Sequence, residues 1–313
     1  MSDFRTRLGR LTGQAGESRP PAALPPSLAE RLARLRTRAA EINARRPIDD
    51  ELARTLGGTV VAPALLAVER SFSLPYAHGE TRIAGAGTVA EGARLSLADG
   101  ASPRAEALLF LDTETSGLAG GTGTVAFVLG LATIRDDGLV ARQLLMTGFR
   151  GERPMLQQLV AALHKHRCIV TFNGKSFDLP LLRARARLAD LEWPGEMPHH
   201  LDLLHVTRRR LREGWPDCRL RTAEERALGY ARTDDLPGAE VPAAWQRWLQ
   251  RGDASPLPRI LDHNREDLLS LAGLLAVLAH PTVREAPLLH APRAPPIASP
   301  LAAQYPRVIG VRP

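Results

Sequence analysis

The sequence predicts a mixed α/β fold, and two features of residues 105–280 carry that prediction. First, three apolar runs follow one another with only turn residues between them, which is typical of antiparallel strands. Second, helical periodicity then alternates with short apolar runs, which is typical of strands that helices connect. Together the two patterns predict a mixed sheet, three antiparallel strands and then alternating helices and strands, with helices on both faces.

The three antiparallel strands are each bounded by a turn signal. The first predicted strand covers residues 108–113, and a Gly-rich turn at 117–123 connects it to the second strand at 124–133. Two aspartates and a glycine at 136–138 are a hairpin signal. The third strand is therefore predicted at 139–149.

The second half of the domain alternates between elements. Short apolar runs predict strands, and apolar positions at helical spacing predict the helices between and after them. The predicted strands are 168–172 and 201–204, and the predicted helices are 155–165, 176–189, 203–212, 222–228, 241–250 and 264–278.

The rest of the chain divides by composition. Residues 1–26 end in a Pro-rich stretch and are predicted to form a flexible arm. Residues 27–104 are predicted to be a smaller N-terminal extension of unknown role, with helices at 27–42 and 49–56 and short strands within 60–74. Residues 281–313 are a Pro- and Ala-rich tail.

Composition narrows the classes of function. The chain has 313 residues and is 44% hydrophobic, which suffices for a substantial core. Its net charge of +7 is compatible with a polyanionic partner. Two cysteines, Cys168 and Cys218, are too few for a disulfide framework and fit a reduced cytoplasm. No apolar run predicts a signal peptide or a membrane span, so a cytoplasmic protein without a membrane partner is expected.

Two acidic residues end the first predicted strand. Asp112 and Glu114 are two positions apart, so on a strand both carboxylates point to the same face. Their repulsion raises the proton affinity of each, and a divalent cation would remove that cost. Two interpretations are open for this pair alone: a metal site, or a solvated strand end before a turn.

Two further acid-bearing motifs lie later in the chain. Asn173 and Gly174 follow a predicted strand, and Asp178 falls in the first turn of the next helix. Asp267 and His263 are four residues apart, so they share one face of a late helix. Turn chemistry and acids in the first turn of a helix would explain these residues equally well.

The motifs in this order resemble the DnaQ-like (DEDD) 3′–5′ exonuclease superfamily, which has a ribonuclease H-like fold. Its Asp-x-Glu motif is matched by Asp112 and Glu114, its Asn-x-x-x-Phe/Tyr-Asp motif by Asn173 to Asp178, and its late aspartate by Asp267. The segments DTETSGLAGGTGT, FNGKSFDLPLL, HLDLLH, CRLRTAEERALG and DHNREDLLSL are similar to the YprB-type branch. The resemblance implies a ribonuclease H-like exonuclease domain at 105–280.

The resemblance also implies a mechanism with two Mg²⁺ or Mn²⁺ ions, roughly 4 Å apart, that clamp the scissile phosphate. By analogy Asp112 would bridge both ions. Glu114 and Asp267 would hold the ion beside the nucleophile, and Asp178 would hold the other. The residues implied to bind substrate are Thr113, Thr115, Asn173, Lys175 and Phe177.

The sequence departs from the superfamily at one position. There a Tyr four residues before the last Asp, or a His five before it, positions the attacking water. Here His263 lies four residues before Asp267, and Asp262 lies five before it. His263 is the candidate general base, because an imidazole titrates near neutral pH; the alternative is that it caps the start of the helix. Asp202 and His205 are expected beside the site.

The sequence therefore predicts a metal-dependent nuclease, a 3′–5′ exonuclease acting on single-stranded DNA or RNA. Arginines that surround the motifs in the sequence could attract the phosphate backbone, or could be solvated helix faces: Arg183, Arg187, Arg208 and Arg209. One alternative is a structure-specific endonuclease or RNA-processing nuclease with the same metals. Another is a nucleic-acid-binding module without catalysis, although such a module would not need all four acids.

Overall fold

A computed structural model describes residues 49–73, 75–83, 107–117 and 123–279, together with positions 30, 31, 33, 34 and 37. Those five positions are helical and exposed, as the helix predicted at 27–42 requires. The remaining residues of that helix, the predicted arm at 1–26, the tail at 281–313 and positions 118–122 of the Gly-rich turn lie outside the described residues.

The strands run in chain order from the N-terminal extension into the α/β domain. They are β1 (Thr59–Ala62), β2 (Leu65–Ser73), β3 (Ala77–His78), β4 (Thr81–Arg82), β5 (Leu108–Thr115), β6 (Ala126–Arg135), β7 (Gly138–Met146), β8 (Cys168–Thr171) and β9 (His199–Asp202). Among the described residues, seven of them form one sheet in the order β1-β2-β7-β6-β5-β8-β9, and β3 pairs with β4.

The helices occupy the connections and the C-terminal part of the domain. They are α1 (Asp49–Leu56), α2 (Glu152–Lys165), α3 (Asp178–Leu188), α4 (Leu203–Arg210), α5 (Leu220–Ala223), α6 (Val241–Arg251) and α7 (Leu257–Ala279). A 3₁₀ turn at Phe149–Gly151 precedes α2, and a π-helical turn at Glu224–Leu228 continues α5.

The sheet confirms the predicted mixed topology. In the order of the sheet, the neighbouring strands β1, β2, β7, β6 and β5 all pair antiparallel. By contrast, β8 lies parallel to β5, and β9 lies parallel to β8. The predicted hairpin at 136–138 joins β6 to β7. The strands within 60–74 are part of the same sheet, because β2 pairs with β7 along its whole length, from Leu65–Met146 to Ser73–Gly138.

Two apolar cores lie on the two faces of the sheet. Side chains alternate along β5, so that Leu109 and Leu111 enter one core while Leu108 and Phe110 enter the other. The second core also contains Leu268 of α7. Positions 112 and 114 continue the alternation of Leu108 and Phe110, so they lie on the same face of β5. The long helix α7 covers this face.

Helix α7 begins earlier than the sequence predicts. The prediction at 264–278 is wrong at its start, because the helix runs over Leu257–Ala279. Pro258 lies in the first turn of this helix, where proline is tolerated because its missing N–H has no partner to lose. Within the part of the chain that the structure describes, no helix has the length and apolarity of a membrane span.

Candidate metal centre

Strand β5 brings Asp112 and Glu114 to the face that α7 covers. Asp112 pairs with Gly130 of β6 and Glu114 pairs with Val128, after which the register shifts by one residue. Such a bulge bends the strand and re-aims the side chains beside it. Glu114 is buried, with 7% of its surface exposed.

A buried amide holds Asp112. The Asn264 Nδ2 of α7 donates to Asp112 Oδ2 over 2.8 Å, and Asn264 Oδ1 accepts from Gln143 Nε2 over 2.9 Å. Gln143 also donates to the Leu261 carbonyl over 2.7 Å. Gly130 makes room for this relay, because a Cβ there would lie 2.3 Å from Asn264 Oδ1. The orientation of Asp112 is thus fixed from α7 and from two neighbouring strands.

Asp178 is the first residue of α3, and it reaches the site at the end of the loop that follows β8. The Thr113 hydroxyl donates to Asp178 Oδ1. The loop is held in turn by Asp202, which accepts from the backbone N–H of Asn173 over 2.7 Å and of Lys175 over 3.0 Å. Asn173 has a left-handed φ of 67°, which asparagine tolerates better than most residues. Asp202 lies beside the site as expected, as a buried acceptor that shapes the loop.

Helix α7 supplies Asp267 and His263, which both lie along the helix and away from its two ends. Since the helix begins at Leu257, the interpretation of His263 as a cap of the helix start is wrong. His263 Nδ1 lies 2.7 Å from Asp235 Oδ1, and His263 Nε2 lies 3.9 Å from Asp267 Oδ2. One potential ligand atom each from Glu114, His263 and Asp267 lies within 4.8 Å of the others.

A buried guanidinium closes one side of the site. The Arg232 side chain is 4% exposed and donates through Nη2 to Asp267 Oδ1 and to Glu224. Its Nε donates to Glu224 Oε2 over 2.9 Å. Ser270 donates to Glu224 in turn, and His78 Nε2 lies 2.8 Å from the Ser270 hydroxyl. The strand β3 is thereby connected to Asp267 through a chain of buried polar groups.

The carboxylates in this site disfavour each other's charge. Burial raises the pKa of Asp112 well above its usual range, and the charges of Asp267, Glu114 and Asp178 add to that rise. Burial also raises the pKa of Glu114 to about 8, against the opposing effect of His263. The pKa of Asp178 rises to about 6, mainly through burial, with Asp202 contributing. A cation among these groups would relieve the repulsion.

The pKa of His263 is also raised, and the raised value favours the positively charged form of its ring. Burial alone would lower the pKa of His263, but the hydrogen bond to Asp235 and the charges of Asp267 and Glu114 raise it to about 9. Arg232 opposes that rise. In the ion-free protein the imidazole is therefore protonated at neutral pH, where it offsets part of the negative charge of the carboxylates.

The donor set fits a divalent cation. Glu114 Oε1 is buried and has no hydrogen-bond partner among the residues that the structure describes, although burying a charged oxygen without a partner is costly. Asp112, Glu114, Asp178 and Asp267 offer the carboxylate oxygens that Mg²⁺ and Mn²⁺ accept. These four side chains could hold such ions, as the sequence predicts.

The residues predicted to bind substrate fall into two groups. Thr113 is engaged with Asp178, Thr115 donates to the Gly117 carbonyl over 3.0 Å, and the Asn173 backbone is tied to Asp202, so all three shape the site. Lys175 and Phe177 instead have exposed side chains on the loop before Asp178, and Phe177 is 58% exposed. The arginines Arg183, Arg187, Arg208 and Arg209 and the neighbouring His205 are also exposed.

Several residues of the site were not singled out in the sequence. Asn264 and Gln143 carry the relay to Asp112, and Arg232 and Asp235 contact Asp267 and His263. Asn264 follows His263 directly, and its spacing of three from Asp267 could have indicated a shared helix face. The segment at 229–240 has no apolar periodicity, so nothing in its pattern indicated that Arg232 is buried.

Comparisons with known proteins place the same part of the chain in a known family. Residues 109–279, more than half of the chain, match the RNase_H_2 family of the RNase_H superfamily. The chain is 33% identical over 188 residues to the uncharacterized protein YprB of Bacillus subtilis (strain 168), which covers 59% of this chain and 44% of that protein. The chain thus spans less than half the length of that relative.

Among solved structures, the family B DNA polymerase of Pyrobaculum calidifontis aligns with a TM-score of 0.45 and 17% identity. That alignment covers 74% of this chain and 31% of the polymerase. The family match over residues 109–279, on a mixed sheet of the predicted topology, establishes the ribonuclease H-like fold and supports a nuclease domain. This chain belongs to the RNase_H_2 family of the RNase_H superfamily.

Proposed function

We propose that the protein is a metal-dependent nuclease, a 3′–5′ exonuclease that hydrolyses single-stranded nucleic acid with two divalent cations. The observation that carries the proposal is the convergence of Asp112, Glu114, Asp178 and Asp267. Burial and neighbouring carboxylates raise the pKa values of the first three, and Glu114 Oε1 has no hydrogen-bond partner among the described residues. A module that only bound nucleic acid would gain nothing from this arrangement, because four clustered carboxylates repel phosphate.

The side chains would divide the task by position. Asp112, whose Oδ2 accepts a hydrogen bond from Asn264, would contact both ions. Glu114 and Asp267 would hold one ion, and Asp178, oriented by Thr113, would hold the other. When bound, the cations supply Lewis acidity to the scissile phosphate and lower the pKa of a water molecule.

The surface around the carboxylates suits a single strand. Lys175 offers an exposed positive charge and Phe177 an exposed ring, both on the loop that leads to Asp178. A ring of this kind can stack on a nucleobase, and a lysine can contact a phosphate. These two side chains support a substrate whose terminal base is not paired, which is why single-stranded ends are proposed.

The proposal is tested with end-labelled single- and double-stranded DNA and RNA, incubated with purified protein and Mn²⁺ or Mg²⁺. We expect metal-dependent shortening of single-stranded substrates and its loss in Asp112→Asn. Asp137→Asn is the matched control, because Asp137 is an exposed aspartate in the hairpin between β6 and β7. Equal degradation by parent and Asp112→Asn, or none by the parent on any substrate, would overturn the proposal.

The same assay separates exonuclease from endonuclease. A 5′-labelled strand should give a ladder of progressively shorter products, and a 3′-blocked strand or a circular strand should resist. Cleavage of the circular strand would instead establish the endonuclease alternative while leaving the metal-dependent chemistry intact.

A further inference from the structure

We propose that His263 is a direct ligand of the divalent cation that Glu114 and Asp267 hold, so that the centre prefers a first-row transition-metal ion to Mg²⁺. The inference rests on the proposed function, since it requires that this cluster bind a cation. It assigns His263 a role other than that of the general base, which its place in the sequence motif implies.

The hydrogen bonds of the imidazole decide which ring nitrogen is available. Nδ1 lies 2.7 Å from Asp235 Oδ1, and a carboxylate can only accept, so Nδ1 carries the proton. Arg232 Nη1 lies 3.2 Å from the same nitrogen, but a guanidinium only donates and cannot pair with a protonated Nδ1. Nε2 is left for the site, where a bound cation would take the place of the proton that Nε2 carries in the ion-free protein. Metal-binding histidines usually donate their other ring N–H to a carboxylate in this way.

The separations suit a shared ion. Two ligands of one ion at roughly 2.1 Å can lie no more than roughly 4.2 Å apart. Nε2 of His263 and Oδ2 of Asp267 are 3.9 Å apart, and the ligand atoms of the whole triad lie within 4.8 Å of one another. Small side-chain rotations would bring the three atoms to one ion. Gly238 adds no side chain near Nε2, where a Cβ would begin 3.8 Å away.

The carboxylates of Asp267 and Glu114 each have one oxygen that is available to bind an ion. Arg232 takes Asp267 Oδ1, so that Oδ2, which faces His263, is the oxygen free for an ion. Glu114 is buried, and its Oε1 has no hydrogen-bond partner in the described structure. Each member of the triad therefore has one potential ligand atom that no described residue engages by a hydrogen bond: Nε2 of His263, Oδ2 of Asp267 and Oε1 of Glu114. The three side chains are close enough to share one ion.

The chemistry of the triad sets the preference among ions. Mg²⁺ prefers oxygen ligands in near-ideal octahedral geometry, whereas imidazole suits transition metals, and affinity rises from Mn²⁺ to later ions of the series. One imidazole beside two carboxylates should therefore favour Mn²⁺, Co²⁺ or Zn²⁺ over Mg²⁺. A general base at the same position would leave the ion with oxygen ligands alone and give no such preference.

The test uses Mn²⁺ as a spectroscopic probe in the full-length protein. Electron spin echo envelope modulation of bound Mn²⁺ detects directly coordinated nitrogen. We expect a ¹⁴N coupling in the parent protein that changes to a ¹⁵N coupling when histidine is isotopically labelled, and that disappears in His263→Gln. His164→Gln is the matched control, since His164 is an exposed histidine on α2, and it should retain the coupling.

Affinity measurements give a second readout. By calorimetric titration, Mn²⁺ should bind the parent at least about 10-fold more tightly than Mg²⁺, and His263→Gln should remove most of that difference. Asp235→Asn should weaken Mn²⁺ binding by about 10- to 100-fold, because it removes the acceptor that orients the ring. The isotope exchange in the parent requires no variant, so it decides the matter even if His263→Gln does not fold.

The outcomes separate this inference from the proposed function. Mn²⁺ bound without nitrogen coupling, or a coupling that persists in folded His263→Gln, overturns the assignment of His263 and leaves a metal-dependent nuclease in place. No Mn²⁺ binding by the parent overturns both. Nitrogen coupling without any hydrolysis in the degradation assay would support the ligand assignment and contradict the nuclease.

Discussion

Replacing Glu114 with glutamine tests whether the site is built for an ion. The wild-type carboxyl group has a pKa of about 8, raised mainly by burial from an ordinary value of 4.5. A group whose pKa is raised on folding contributes stability below its unfolded pKa and loses it as pH rises through the folded value. The ion-free parent should therefore lose stability between about pH 4.5 and pH 8.

The size of the effect follows from the same shift. At pH 7 the raised pKa corresponds to about 3 kcal/mol of lost folding free energy relative to the protonated form. Glutamine has the same shape and no charge. Without added ions, Glu114→Gln should therefore be more stable than the parent at pH 7, by up to about 3 kcal/mol, and nearly equal to it at pH 4.5.

Added ions should stabilise the parent more than they stabilise Glu114→Gln. Mn²⁺ at about 100 times its dissociation constant would stabilise the parent by about 2.7 kcal/mol, whereas Glu114→Gln, which lacks a ligand, should gain much less. Urea denaturation with and without chelator at several pH values measures both effects, and Glu213→Gln on the exposed surface serves as control. A less stable variant at pH 7 without ions, or an equal response to Mn²⁺, would refute the reasoning.

Three further substitutions test the groups that hold the carboxylates. Arg232→Gln removes the charged partner of buried Glu224 and should cost about 3–5 kcal/mol in urea denaturation, whereas a cost below about 1 kcal/mol would contradict a buried ion pair. Gly130→Ala places a Cβ 2.3 Å from Asn264 Oδ1 and should weaken Mn²⁺ binding about 10-fold by calorimetry; unchanged affinity would show that the relay to the neighbouring strand does not matter. Asp202→Ala removes the acceptor of backbone N–H groups in the loop before α3 and should cost about 2–3 kcal/mol in thermal denaturation, which a neutral result would exclude.

The sheet could be predicted from the sequence because its signals are local. The apolar run before Asp112 and the hairpin at 136–138 fixed three strands, and β5 ends in acids as expected. Termini were less predictable. Helix α7 begins at Leu257 although its start was predicted at 264, and the register shift beside Glu114 follows from tertiary pairing that no local pattern encodes.

The candidate site was predictable only in part, for a physical reason. The spacing of each acidic motif alone left metal binding open, and it was the resemblance of the motifs, taken in order, to the DnaQ-like superfamily that predicted Asp112, Glu114, Asp178 and Asp267 as one site. Their supporting residues are defined by contacts across the fold. Arg232 looks like any other arginine of an Arg-rich chain until the structure buries it against Glu224 and Asp267.

The central claim is that the four carboxylates hold divalent cations, and a crystal structure of the protein grown with Mn²⁺ tests it most directly. Anomalous difference maps should show Mn²⁺ peaks within bonding distance of Asp112, Glu114, Asp178 and Asp267, and these peaks should be absent from crystals of Asp112→Asn. A map from parent crystals at saturating Mn²⁺ that shows no peak among these side chains would contradict the account.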